Sequence, residues 1–215
     1  MTFSESIMQE CREILNEGLV ALDLLVPLGQ QEKLIAFIAL IEKWNKTYNL
    51  TAIRNPEEMV RLHLLDSLAI ADYIQGPQVL DIGTGAGLPG IPLALLYPHY
   101  SFVLLDSNIK KTRFVQQAVI ELGLKNVIVW HGRIESYQPT IYFNSIVSRA
   151  FSSVPSFVSV ASERLSSGGV LLAMKGQHPD KELQQIDSDF SVIPIMVPGV
   201  DAERCLVQLD KVKRA

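Results

Sequence analysis

The stretch from Val79 to Gly90 constrains the fold of this chain more than any other. A strand-like run, Val79 to Ile82, leads into Gly83, Thr84, Gly85, Ala86, Gly87, Leu88, Pro89 and Gly90, and an apolar helical run from Ile91 to Leu96 follows. Alternating glycines let the backbone turn tightly and let a ligand approach the main chain. Pro89 suits the first turn of the helix behind the loop. A loop of this kind between a strand and a helix belongs at the carboxyl edge of a parallel sheet, where open α/β sheets bind their ligands.

The rest of the chain is consistent with such a sheet. Ser101 to Leu105 reads as a strand ending in Asp106, Lys110 to Leu122 as an amphipathic helix and Asn126 to Trp130 as a strand. Ser145 to Ser148 reads as a strand, Val154 to Leu165 as a helix and Gly169 to Met174 as a strand. Strands alternating with helices predict a parallel sheet covered on both faces. Farther on, Asp180 to Ile186 reads as helical. Ser191 to Val197 and Arg204 to Leu209 read as two strands around a turn at Pro198 and Gly199, predicting a closing antiparallel hairpin.

Residues 1–76 have a different period. Apolar side chains recur at three- and four-residue steps through Ile7, Cys11, Ile14 and Leu15, again through Leu34, Ile35, Ile38, Ile41 and Trp44, and again through Met59, Leu62, Leu65 and Leu68. This is helical spacing. Pro56 followed by Glu57 and Glu58 marks a helix start, and Gly76-Pro77 closes the region. The expected organisation is one structural domain: a helical extension, residues 1–76, packed on a core of residues 77–215.

At 215 residues the chain can bury a full core without disulfides or metal. Its net charge of −4 excludes a general nucleic-acid coater, since non-specific binding is mostly phosphate neutralisation. Any RNA contact must therefore be a local patch. Cys11 and Cys205 stand far apart with no metal-ligand or disulfide spacing, as in a protein of the cytoplasm. Glu5, Glu10, Glu13 and Glu17 interrupt the N-terminus, which is not a signal peptide, and the longest apolar run, Leu34 to Ile41, falls far short of the ~20 residues a bilayer span requires. A soluble, cytoplasmic monomer is expected. His63, His99, His131 and His178 show no metal spacing, and no metal is expected.

The loop admits two ligands. Gly85, Gly87 and Gly90 match the dinucleotide fingerprint G-x-G-x-x-G, and Asp106, 19 residues beyond Gly87, falls where a ribose-binding acid would stand. Read from Asp81, the same loop becomes Asp81-x-Gly83-x-Gly85-x-Gly87, which resembles the first motif of class I S-adenosylmethionine-dependent methyltransferases. Three features favour that reading: the acid directly on the strand, the helical region before the loop, and the closing hairpin. An oxidoreductase using the dinucleotide reading would lack an evident Tyr-x-x-x-Lys pair. A third possibility is a protein of this fold that binds RNA or a partner without catalysis.

Further blocks narrow the choice. Trp44 to Ile53, His63 to Ser67 with Asp66, the loop through Pro89-Gly90, and Asp106 with Lys110, Lys111 and Phe114 together resemble the RsmG (GidB) family, as do Phe143 to Ala150 and Lys175 to Gln177. The resemblance spans about residues 35–210. It implies a Rossmann-like α/β fold and methyl transfer from S-adenosylmethionine to N7 of a guanine in 16S rRNA of the small ribosomal subunit or its assembly intermediate. It also implies cofactor contacts at Asp81, Gly83, Gly85, Gly87, Leu88, Asp106, Ile134, Glu135 and Arg149. The family reads Phe-Asp where this chain has Phe143-Asn144. Asn144 and Arg149 are candidates for orienting the base. Lys110, Lys111, Arg113, Arg133 and Lys175 are candidates for the RNA-facing patch, with Lys46, Arg54 and Arg61 beside them. Trp44 lies on the apolar stripe and is expected, with Tyr48, to anchor the helical extension. Guanine N7 has a lone pair in its neutral form, so in-line attack demands no general base, and positioning is the expected source of catalysis.

Overall fold

The computed structural model describes residues 4–149 and 151–211; Ala150, which ends the block containing Arg149, lies outside them. Two long helices come first, α1 (Glu5–Ala21) and α2 (Leu28–Tyr48). Ser4 caps α1 and Asn55 caps the short α3 (Pro56–Met59), each side chain accepting a backbone N–H. From Val60 to Leu65 the chain is π-helical before one turn of α4 (Asp66–Leu68). The regular helical period expected from Met59 to Leu68 is therefore broken. A π-helical turn inserts extra chain per turn and rotates the following side chains, and such segments concentrate at functional sites.

The core follows as β1 (Gln78–Ile82), α5 (Gly90–Leu96), β2 (Ser101–Asp106), α6 (Ile109–Glu121), β3 (Val127–His131) and β4 (Phe143–Ser148). It continues through α7 (Val154–Ala161), β5 (Leu165–Lys175), α8 (Asp180–Leu183), β6 (Asp189–Pro194) and β7 (Cys205–Lys211). The sheet runs β3-β2-β1-β4-β5-β7-β6. The first five of these strands pair in parallel, and β7 pairs antiparallel with both β5 and β6. A dinucleotide-binding sheet runs 3-2-1-4-5-6. The insertion of β7 between β5 and β6 departs from that order.

Several expected boundaries move. The helix expected from Val154 to Leu165 stops at Ala161; a tight turn over Ser162–Arg164 follows and Leu165 already opens β5. The strand expected from Ser145 begins at Phe143. The closing hairpin is antiparallel as expected, but residues 195–204 join its strands and the last strand is the one that docks on β5. That placement comes from the sheet edge β5 presents, which local sequence does not encode.

One face of the sheet packs with α2, α5 and α6 in a core that includes Phe37, Leu93, Phe102 and Phe114; the other packs with α7 around Phe143 and Phe157. Phe114 is fully buried, its ring 6.2 Å from Phe37 and 5.8 Å from Trp44, and Trp44 stacks on Tyr48 at 5.3 Å. Trp44 and Tyr48 thus hold the helical extension to α6, as expected. Replacing Phe114 with Ala should lower stability by about 3–5 kcal/mol, the range for truncating a buried aromatic side chain. A urea titration would show it as a shifted midpoint at unchanged slope.

Candidate active site

Asp81 is the penultimate residue of β1, set between Leu80 and Ile82, and is fully buried. Its Oδ2 accepts the Thr84 hydroxyl at 2.6 Å and the Gly90 N–H at 2.9 Å, pinning both ends of the glycine loop to one atom. Gly83, Gly85 and Gly87 have φ of 73, 60 and 82°, a region that side chains rarely occupy. Gly90 is required for a different reason: a Cβ there would meet Leu104 Cδ2 at 2.1 Å and Asp81 Oδ2 at 2.8 Å. Leu88 is buried, its N–H bonded to the Thr84 carbonyl at 2.8 Å.

Asp106, at the end of β2, is also buried. It accepts the Gly85 N–H on Oδ2 and the Asn108 N–H on Oδ1, each at 2.8 Å. The cap of α6 is Asn108 rather than Asp106. Each oxygen of Asp106 therefore keeps one lone pair for a ligand hydroxyl. At the end of β3 the Gly132 N–H bonds to the Asp106 carbonyl at 3.0 Å, which sets the turn of Ile134 and Glu135 beside the same strand ends.

Arg149 follows β4 at this same edge. Its Nη1 donates to the Leu62 carbonyl at 3.3 Å and to Asp66 Oδ2 at 3.4 Å. The other oxygen of Asp66 accepts Arg204 Nε at 3.0 Å. One carboxylate from the helical extension thus holds two guanidiniums, one from the end of β4 and one from the segment before β7. These three side chains line a cavity of about 370 Å³ together with His63, Met174 and Lys175. His63 lies on the π-helical turn and is buried; its Nε2 is 3.0 Å from Thr51 Oγ1.

Among the described residues, two buried side-chain polar atoms have no hydrogen-bond partner, Asp81 Oδ1 and His63 Nδ1. Both belong to the carboxyl-end site. Burial pushes the Asp81 carboxyl up to about 7, against the bonds from Thr84 and Gly90 and the charge of Arg149. Burial, with Arg149 next, pushes His63 down to about 4, only partly offset by the Leu62 backbone, so its ring is neutral at physiological pH.

The candidate RNA-facing residues divide. Lys110, Arg113 and Arg133 are exposed. Lys111 is half-buried, with its Nζ 3.9 Å from where a Gly85 side chain would begin, over the glycine loop. Lys175 is paired to Glu182 at 2.9 Å on the cavity wall, so much of its charge is already committed. Lys46 pairs with Glu42, Arg54 bonds Asn49, and Arg61 packs on Gly199. Asn144 is not brought to this site. It stands at the amino end of β4, bonded to the Gln78 N–H at 3.0 Å and to Ser166 Oγ, at the opposite edge of the sheet. The base-orienting role expected for it does not fit that position.

Two residues of the site had little or no sequence signal. Arg204 sits in a polar loop with nothing local to distinguish it. Asp66 offered one clue, an acid inside the run Leu62 to Ile70 that is otherwise mostly apolar. No group of His, Cys, Asp or Glu that could hold a metal occurs among the described residues.

The family model described as GidB, rRNA small subunit methyltransferase G, matches residues 30–206. The ribosomal RNA small subunit methyltransferase G of Nitrosococcus oceani is 47% identical over 199 residues, covering 91% of this chain and 93% of that protein. That of Methylococcus capsulatus is 50% identical over 182 residues, covering 84% and 89%. The solved tRNA (m1A58) methyltransferase TrmI from Aquifex aeolicus aligns with a TM-score of 0.57 at 18% identity, over 70% of this chain and 69% of that one. The S-adenosylmethionine-dependent methyltransferase SibL aligns with a TM-score of 0.59 at 13% identity, over 79% and 62%. At these identities the structural likeness is one of fold, the Rossmann-like methyltransferase fold.

The two shifted groups predict opposite pH effects on stability. Asp81 binds its proton more tightly folded than unfolded, so it removes stability as pH rises from 3.8 toward about 7. His63 binds its proton less tightly folded, so it adds stability as pH rises from about 4 to 6.5. In the parent protein the two slopes oppose each other over the shared window. Asp81→Asn should steepen the rise of stability with pH there, and His63→Gln should reverse it, as read from melting temperatures at a series of pH values.

Proposed function

Because this chain belongs to the GidB, or rRNA small subunit methyltransferase G, family, we propose that it transfers a methyl group from S-adenosylmethionine to N7 of a guanine in 16S rRNA of the small ribosomal subunit or an assembly intermediate, by direct in-line attack. The observation that carries this reading is the glycine loop bracketed by two buried carboxylates, one with an unpartnered oxygen. When bound, the cofactor supplies an electrophilic methyl group on a sulfonium. The residues present fit it. Asp106 accepts the two ribose hydroxyls on its remaining lone pairs. Asp81 Oδ1 is a buried acceptor on the side where an ammonium would be welcome, and a cation there would draw the Asp81 proton off. Gly83 leaves open space where a side chain would stand. Gly85, Gly87 and Leu88 form the floor, and the main chain of Ile134 and Glu135 meets the adenine edge. Arg149 lies close enough to lower the Asp81 carboxyl and offers its guanidinium to the cofactor carboxylate.

Neutral guanine carries its N7 lone pair outward, so no proton has to leave before attack. The protein's contribution is alignment of the two reactants in a water-poor site, which can be worth several kcal/mol. The RNA-facing surface is the exposed set Lys110, Arg113 and Arg133. One feature supports it. The first turn of α6 holds Lys110 and Lys111 and no acid, although cations there oppose the helix dipole. The local penalty is understandable if those cations meet phosphate. Lys111 and Lys175, set against the loop and the cavity wall, act at the reacting nucleotide rather than on the open surface.

Small-subunit particles lacking the modification, incubated with tritiated-methyl S-adenosylmethionine, should yield label in 7-methylguanosine after digestion. Asp106→Ala should abolish it. Label in another nucleoside would reject the guanine reading. Lys110→Ala and Arg113→Ala should each raise KM with little change in kcat, and each should reduce the slope of log affinity against log salt by about 0.7–1, one phosphate contact. Turnover at saturating substrate should stay flat with pH through neutral and mildly alkaline conditions, since no general base has to be unmasked.

A further inference from the structure

The cavity beside the glycine loop has chemistry that cofactor binding does not use. It lies past Arg149, over the ends of β4 and β5, and its volume of about 370 Å³ is toward the small end of ligand pockets, which run from ~300 to ~1,000 Å³. That is room for one nucleotide and excludes a duplex. One wall is apolar, formed by Ile53, Ile70, Met174 and Ile195. The polar wall holds Arg149 and Arg204 against the single carboxylate of Asp66, while Lys175 is matched by Glu182. Arg149 carries the surplus charge and goes to the cofactor carboxylate, so Arg204 meets a phosphate with the guanidinium N–H groups that Asp66 and the Glu203 carbonyl leave over.

His63 completes this wall. Thr51 Oγ1 already accepts the Ile53 N–H at 3.2 Å, which leaves the hydroxyl proton free to go to His63 Nε2. The ring proton then sits on Nδ1, a buried donor with no acceptor. Guanine and adenine both carry N7, and differ at the neighbouring position: guanine offers the O6 acceptor, adenine the N6 amino donor. His63 lines the cavity, and its buried, unpaired Nδ1–H is the donor that would distinguish the two once a base is bound. In an A-form helix N7 lies in a groove too narrow for side chains to read, so a cavity of this size requires the nucleotide to leave its stack.

We propose that this cavity takes the acceptor guanosine in extrahelical form, with His63 as the specificity-determining residue that donates Nδ1–H to guanine O6 and Arg204, held by Asp66, contacting a flanking phosphate. The inference rests on the guanine-N7 reading above and assigns its acceptor pocket. Asp66 is a positioning residue: it touches no substrate and fixes both guanidiniums. The cofactor is held separately on the glycine loop.

The test uses the full chain and small-subunit particles reconstituted with guanosine, inosine or 2-aminopurine at the target position. Inosine keeps O6 and N7; 2-aminopurine keeps N7 and lacks O6. Wild type should methylate guanosine and inosine alike and 2-aminopurine about tenfold less well, the size of one lost hydrogen bond. His63→Leu should lower kcat/KM for guanosine by a similar factor and erase the preference over 2-aminopurine. Its affinity for S-adenosylmethionine, measured by calorimetry without RNA, should be unchanged. Ile195→Trp, on the half-buried rim, should block transfer while sparing cofactor affinity, and stays informative if His63→Leu does not fold. A His63→Leu protein that still discriminates against 2-aminopurine overturns the proposal. So does an Ile195→Trp protein with normal transfer, or a loss of cofactor affinity in either variant, which would give the cavity to the cofactor. Wild type that methylates no guanosine overturns the underlying reading instead, and does so before any variant is compared.

Discussion

Asp81 Oδ2 accepts two hydrogen bonds, from the Thr84 hydroxyl and the Gly90 N–H, and the geometry of the whole site depends on that atom. It closes the loop between β1 and α5 and sets where the glycine backbone lies. A carboxylate placed inside the core is costly unless its oxygens are satisfied. Here one oxygen is satisfied twice and the other not at all. Burial, with one oxygen left unsatisfied, raises its proton affinity. Gly90 belongs to the same constraint, since any side chain there would collide with Leu104 and with the carboxylate itself.

A second carboxylate organises the neighbouring cavity. Asp66 receives Arg149 from 83 residues away and Arg204 from 138 residues away, so the helical extension, the middle of the sheet and the closing hairpin meet at one side chain. The π-helical turn before Asp66 brings His63 and the Leu62 carbonyl to the same wall. Departures from local preference gather at this end of the sheet: two unpartnered buried atoms, a π-helical turn, and a helix that begins with lysines. Proteins usually keep such departures where function requires them.

Much of this was legible in the chain. The strand, glycine loop and helix around Asp81, the placement of Asp106 at the next strand end, and the Trp44 stripe all follow from nearest-neighbour rules. Strand alternation, helical period and the φ freedom of glycine act over a few residues, so they survive in a linear reading. The closing antiparallel pair was legible for the same reason. The base-orienting role of Asn144 comes from the family block around Phe143 to Ala150; its place at the start of β4 sets it at the amino end of the strand, opposite the site. Lys175 reads in sequence as a candidate for the RNA-facing patch because Glu182 reaches it only once β5 and α8 are packed.

By itself, then, the sequence determined the fold class, the glycine loop with its two acids, and the family, because each is written in local spacing and residue type. Tertiary structure alone decided that β7 enters between β5 and β6, that Lys111 bends over Gly85, that His63 pairs with Thr51, and that Asp66 gathers two arginines around a nucleotide-sized cavity. Those outcomes depend on which sheet edge is open and which charges are left without water after packing. Such quantities exist only between distant segments, after the core has closed.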